Sequence, residues 1–133
     1  MGENDSRSTR KSSTIANTQT VGQLFENQAR IYLENHGLTF VTKNFRCSLG
    51  EIDLIMKDLD YLVFIEVRFR KNFYYGDSIE TISTSKQHRL IRTALFYLQK
   101  NKLMDKVNCR FDVLGMNNEK EFVWVKNAFE VHY

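Results

Sequence analysis

Disulfide staples, membrane spans and proline-rich linkers are all missing from this sequence. The two cysteines, Cys47 and Cys109, are far apart, lack a CxxC-type spacing and are too few for a disulfide scaffold. They read as buried or half-buried thiols of a reducing cytoplasm. No window approaches the roughly 18 uninterrupted apolar residues of a membrane span, and the first residues lack the apolar stretch of a signal peptide. A cytoplasmic location and no membrane partner are therefore expected. There is no proline and no internal repeat. Neither sign of charge dominates: 19 basic against 16 acidic residues give a formal charge of +3, which permits contact with polyanions without demanding it. His36, His88 and His132 are scattered without ligand spacing, and none is assigned to a metal.

What is present suits one folded domain. At 133 residues the chain matches a typical domain of about 100 to 150 residues. Its 42% apolar, 13% aromatic and 26% charged residues are ordinary for a globular protein. Residues 1–19 are the exception: rich in Ser, Thr, Asn, Arg and Lys, they cannot bury enough surface to offset ordering entropy and are expected to be a flexible polar tail. The folded domain is expected over 20–133.

From Thr20 the pattern turns helical. Thr20 with Gln23 reads as a capping box, and Val21, Leu24, Phe25, Ala29, Tyr32 and Leu33 recur at helical spacing until Gly37 closes the helix. Glu26 falls at the border of that apolar stripe. A strand is expected over 38–45, then an alternating segment 51–56 with Ile52, Leu54 and Met56 on one face and Glu51, Asp53 and Ile55 on the other. A turn at 57–60 leads into the β-prone run 61–69, so the two segments read as a hairpin. Phe73, Tyr74 and Tyr75 form an aromatic group in a loop, and Ser83 or Ser85 caps a second helix reaching about residue 102. Leu90, Ile91, Ala94, Leu95 and Leu98 are its core face, with Lys86, Arg89 and Arg92 along another side. Strands near 110–114 and 121–125 finish the chain. The order predicts an α/β fold: a mixed sheet with a helix on each face and a crossover through the second helix.

The hairpin carries the chemistry. Asp53 lies on its first strand, and Glu66 and Arg68 share one face of its second. Charges partly buried beside Leu62, Val63, Phe64 and Ile65 need compensation. A divalent cation supplies it: Mg²⁺ favours one or two carboxylates completed by water and phosphate oxygens, and stabilises charge developing on a phosphodiester. An internal salt bridge from Arg68 to Asp53 or Glu66 satisfies the same charges without metal.

Gly50-Glu51-Ile52-Asp53-Leu54-Ile55 followed by Phe64-Ile65-Glu66-Val67-Arg68-Phe69-Arg70 resembles the YraN-type uncharacterised bacterial proteins, relatives of archaeal Holliday-junction resolvases. The resemblance covers roughly residues 21–115. It includes Glu26, Asn44-Phe45-Arg46, Gly76, Lys86 and Arg110-Phe111-Asp112. It implies a restriction-endonuclease-like αβββαβ core with a PD-(D/E)XK type of site. On that basis Asp53 and Glu66 are the metal carboxylates for Mg²⁺ or Mn²⁺, Glu26 completes the site, and the partner is DNA, structured or branched, bound by a homodimer. Lys86, Gln87, Arg89 and Arg70 are the candidate nucleic-acid contacts. The departure is Arg68, where such sites usually have Lys. A guanidinium stays protonated and cannot act as a base, though it can hold a phosphate. A catalytically inactive domain of the same fold, binding nucleic acid or a protein partner, is the alternative.

Overall fold

The structure, a computed structural model, describes residues 20–70 and 82–131. The expected tail 1–19, the group Phe73, Tyr74 and Tyr75, Gly76 and His132 lie outside the described residues. Two helices and five strands follow in the order α1 (Val21–Asn35), β1 (Thr39–Cys47), β2 (Gly50–Asp58), β3 (Tyr61–Phe69), α2 (Thr84–Lys100), β4 (Asn108–Met116) and β5 (Phe122–Val125). The strands form one sheet in that same sequence order. Pairing is antiparallel except between β3 and β4, which run parallel. A parallel pair cannot be joined by a tight turn, so α2 provides the crossover. The predicted αβββαβ order with a mixed sheet is what the structure shows.

Each helix is specified locally. At the start of α1 the Thr20 hydroxyl accepts from Gln23 N at 3.1 Å while the Gln23 side chain accepts from Thr20 N at 2.9 Å, completing the predicted capping box. At its end Gly37 takes φ +99°, and Leu38 N returns to the Leu33 carbonyl at 3.1 Å. A side chain is disfavoured in that conformation, which is why glycine stops the helix there. Ser83, of the two serines considered, caps α2 by accepting from Lys86 N at 3.2 Å.

The helices cover opposite faces of the sheet. Ala29 and Leu33 of α1 pack with Leu38, Leu54, Met56, Val63, Ile65, Leu114 and Met116. Leu90, Ile91, Ala94, Tyr97 and Leu98 of α2 pack with Ile52, Ile55, Leu62, Phe64 and Phe111. Each large apolar side chain fully buried this way contributes about 1.5–3 kcal/mol relative to exposure. The apolar stripe of α1 is narrower than its spacing suggested: Val21 and Leu24 are exposed, because the first turn of the helix adds no residue to the cluster beneath it.

One strand face was misjudged. Ile52 does not join Leu54 and Met56 but packs with Ile55 on the α2 side. Strict alternation fails at Asp53. The β2–β3 ladder runs from Asp58↔Tyr61 to Leu54↔Ile65 and goes no further. On the other side, the pairs Lys43↔Leu54 and Phe45↔Ile52 bracket Asn44, which sits at φ +53°. A local irregularity of this kind re-aims side chains at a sheet end. Here it falls at Asp53.

Candidate functional site

Asp53 stands where β2 and β3 part. Its Oδ2 accepts the backbone N–H of Val67 at 2.8 Å, so a side chain takes the donor that the ladder leaves over. The carboxyl pKa is raised from 3.8 to about 7. Burial is the main cause, because it penalises the charged form; the negative charge of Glu66 adds to it, and Glu26 and Glu51 add further, against the lowering effect of the Val67 hydrogen bond. Three carboxylates from α1, β2 and β3 thus bear on a fourth.

Glu66 is nearly buried, its side chain 11% exposed, and its Oε2 lies 2.7 Å from the Lys86 ammonium. Lys86 reaches it from the first turn of α2. Expected from the sequence as a nucleic-acid contact, this lysine meets a carboxylate of the chain itself. Arg68 follows on the same strand face, half-buried. Burial lowers its pKa from the ordinary guanidinium value, as does the nearby Arg70, while Glu66 acts in the opposite direction.

The other candidates are more dispersed. Gln87 donates its amide to the Ile82 carbonyl at 2.9 Å and so braces the helix start. Arg70 donates to the Phe69 carbonyl, and its backbone N–H bonds the Met116 carbonyl, both at 2.9 Å. Arg89 is exposed and donates to Ser85 Oγ at 3.1 Å. Arg92 is exposed too. The basic stripe of α2 therefore divides, with Lys86 turned to the acidic corner and Arg89 and Arg92 at the surface. Glu26 is half-buried on α1, whose turn is fixed at the sheet end by Phe25 stacking on Phe69 with ring centres 4.6 Å apart. Among the described residues, no three His, Cys, Asp or Glu side chains gather closely enough to hold one metal ion.

Two features were not singled out from the sequence. Glu51 acts electrostatically on Asp53 and pairs with Arg46 across β1 and β2 at 3.2 Å; its place two residues from Asp53 on one strand was the available signal. Asp112, fully buried, accepts from Arg110 Nε at 3.0 Å, Trp124 Nε1 at 3.0 Å and Asn127 N at 2.9 Å. Arg110 Nη2 also reaches Asp58 Oδ2 at 2.9 Å. This network ties β2, β4, β5 and Asn127 together.

A mixed five-stranded sheet between two helices, with an acidic corner at the fork of its central hairpin, defines an α/β protein of a particular build. The chain belongs to the Uncharacterised protein family UPF0102, which matches residues 25–116. It is 51% identical over 116 residues to a UPF0102 protein of Coxiella burnetii, covering 87% of this chain and 97% of that one. A UPF0102 protein of Aliivibrio fischeri is 45% identical over 114 residues, covering 84% and 93%. The YraN-type resemblance drawn from the hairpin motifs agrees with this membership. Among solved structures, Pyrococcus furiosus SfsA in complex with Ca²⁺ aligns with a TM-score of 0.29 and 16% identity, over 83% of this chain and 64% of that chain. So slight a likeness says nothing about function. No helix among the described residues is long and apolar enough to cross a membrane.

Proposed function

We propose that this protein is a metal-dependent endonuclease acting on structured or branched DNA in the cytoplasm, as a homodimer whose two sites meet opposed strands. The observation that carries this reading is the half-buried Asp53 carboxylate, held by the Val67 N–H, its pKa raised first by burial and then by the charges of Glu66, Glu26 and Glu51. Such an excess of carboxylate suits a hard divalent cation.

Asp53 and Glu66 would hold Mg²⁺ or Mn²⁺, with Glu26 supporting them from α1; one or two carboxylates completed by water and phosphate oxygens are enough for such an ion. When bound, the ion supplies Lewis-acid stabilisation of the charge that grows on a phosphodiester. The protein's own groups do the rest. The Val67 N–H fixes the orientation of the Asp53 carboxylate. Arg68, protonated throughout the physiological range, holds a phosphate oxygen through charge-assisted hydrogen bonds and does not accept a proton. Arg89 and Arg92, exposed on α2, follow the DNA backbone, and Arg70 and Gln87 stand beside the strand and helix ends that border it.

The test is cleavage of labelled four-way-junction, flap and linear DNA with Mg²⁺ or Mn²⁺ by the unmodified chain, Asp53→Ala and Arg68→Lys. Cutting that disappears in Asp53→Ala supports the proposal. A second reading, a silent domain of the same fold that binds nucleic acid or a protein partner, is favoured by one observation: Lys86 already neutralises Glu66. Binding of DNA without cutting by any of the three proteins would select it.

A further inference from the structure

Lys86 and Glu66 are 20 positions apart in the chain, yet they make a close ion pair at 2.7 Å. The two partners differ in freedom. Glu66 sits on β3 directly after the buried Phe64 and Ile65 with 11% of its side chain exposed, whereas 38% of the Lys86 side chain remains in solvent. A near-buried carboxylate requires a cation, but a lysine on a flexible four-carbon stem does not require that carboxylate. The pair is fixed at one end and mobile at the other.

The mobile end also has a second anion available to it. Lys86 lies in the first turn of the 17-residue helix α2, which holds no acidic residue of its own. The positive end of a helix favours an anion there, and phosphate is a common one. Arg68 does not duplicate this arrangement, because its charge comes from β3 itself, two residues beyond Glu66 and beside Arg70.

We propose that Lys86 is an exchangeable counter-cation of the acidic corner. Its ammonium holds Glu66 until a divalent cation binds there, gives up that carboxylate to the ion, and then engages a phosphate oxygen of the DNA. The proposal rests on the metal-site reading of Asp53 and Glu66. Its physical basis is that an ammonium and a divalent ion repel one another when both crowd one carboxylate, so each lowers the other's occupancy. Metal uptake thereby releases a cation at the moment a phosphodiester needs one, and the charge of the corner stays balanced in both conditions. Lys86 acts as a positioning residue for the ion and as a contact for the substrate.

The experiment is calorimetric titration of Mn²⁺ and Mg²⁺ into the full chain, as wild type, Lys86→Gln, Lys86→Arg and Asp53→Ala. Binding of a four-way DNA junction in Ca²⁺ is measured alongside. Lys86→Gln should bind Mn²⁺ on the order of ten-fold more tightly than wild type, since the loss of a nearby like charge commonly acts at that scale. Its junction affinity should fall about ten-fold, and Lys86→Arg should restore both values towards wild type. Removing a cation beside Glu66 favours the ion whether or not Lys86 moves. The result that marks the exchange is therefore the accompanying loss of junction affinity, recovered in Lys86→Arg; tighter Mn²⁺ binding with unchanged junction affinity overturns it. Unchanged or weaker Mn²⁺ binding by Lys86→Gln, with binding lost in Asp53→Ala, overturns the exchange and leaves the metal site standing. Absence of binding in wild type and Lys86→Gln alike removes the metal site and the exchange together. Should Lys86→Gln not fold, the wild-type Lys86 ¹⁵Nζ resonance decides: it shifts on Mg²⁺ addition if the pair opens, and an unmoved signal in the Mg²⁺-bound protein refutes the exchange.

Discussion

The Asp53 carboxylate accepts the Val67 backbone N–H at 2.8 Å at the point where the β2–β3 ladder ends. One bond therefore does two things: it satisfies a strand donor left without a ladder partner, and it places a carboxylate in a crowded, half-buried corner. The hydrogen bond favours the ionised form and burial opposes it, and burial prevails.

That imbalance gives stability a specific pH dependence. In the unfolded chain Asp53 ionises near pH 3.8, in the folded one near 7. Between these values the folded protein retains an extra proton, so its stability falls as pH rises across the window, by up to a few kcal/mol in total. In chelator-treated protein, thermal denaturation at pH 5 should lie at least about 5 °C above that at pH 8. Asp53→Asn should remove most of the difference by raising the melting point at pH 8. An equal pH 5-to-8 difference in wild type and Asp53→Asn would show that burial at this site is not what governs it.

Gly50 should resist substitution. A Cβ at this position would lie 2.8 Å from Thr93 Oγ1, and the backbone has φ +156°. Gly50→Ala is expected to cost about 1–3 kcal/mol in urea denaturation. Adding Thr93→Ala opens the tightest contact, so the double variant should be less destabilised than the sum of the singles by at least about 0.5 kcal/mol. Strict additivity would place the strain elsewhere.

The buried Asp112 network predicts a large stability loss and an unequal partner. Asp112→Ala leaves the Arg110 guanidinium, 12% exposed, with Asp58 as its carboxylate contact, and should cost about 3–5 kcal/mol. Asp58, 23% exposed, should cost roughly 1 kcal/mol on truncation. Denaturant midpoints of the two variants check the order; a reversal would mean that Asp58 is the main anchor of Arg110.

Arg68→Lys tests the chemistry of that position. Lysine can lose a proton and activate water, whereas arginine stays protonated. Under the nuclease reading, cleavage of a four-way junction in Mg²⁺ should rise about ten-fold or more. A lower rate would instead show that the guanidinium's grip on phosphate is the more important contribution.

Much of the architecture was legible because it is written in local pattern. The capping box at Thr20 and Gln23, the stop at Gly37, the β-prone run that became Tyr61–Phe69 and the apolar face of α2 all depend on neighbours within four residues. Alternation failed at Ile52 because the face a residue takes at a strand end depends on how the strands meet, here with the β2–β3 ladder ending and Asn44 at positive φ nearby, and nothing within 51–56 announces it. The exposure of Val21 and Leu24 was hidden for a related reason: helical spacing shows which residues share a face, whereas the sheet beneath determines how many of them are covered.

The candidate site divides in the same way. The sequence by itself determined that Asp53, Glu66 and Arg68 lie on the two strands of one hairpin and that Glu66 and Arg68 share a face, since residue identity and, on the second strand, a period of two suffice for that. Only the tertiary structure decided what else bears on them: the charge of Glu51 on Asp53, the Val67 N–H freed by the ladder's end, and the Lys86 ammonium on Glu66. The contacts of Val67 with Asp53 and of Lys86 with Glu66 join residues on separate elements, 14 and 20 positions apart. They arise from how the strands meet and how α2 packs against the sheet, which no local rule encodes.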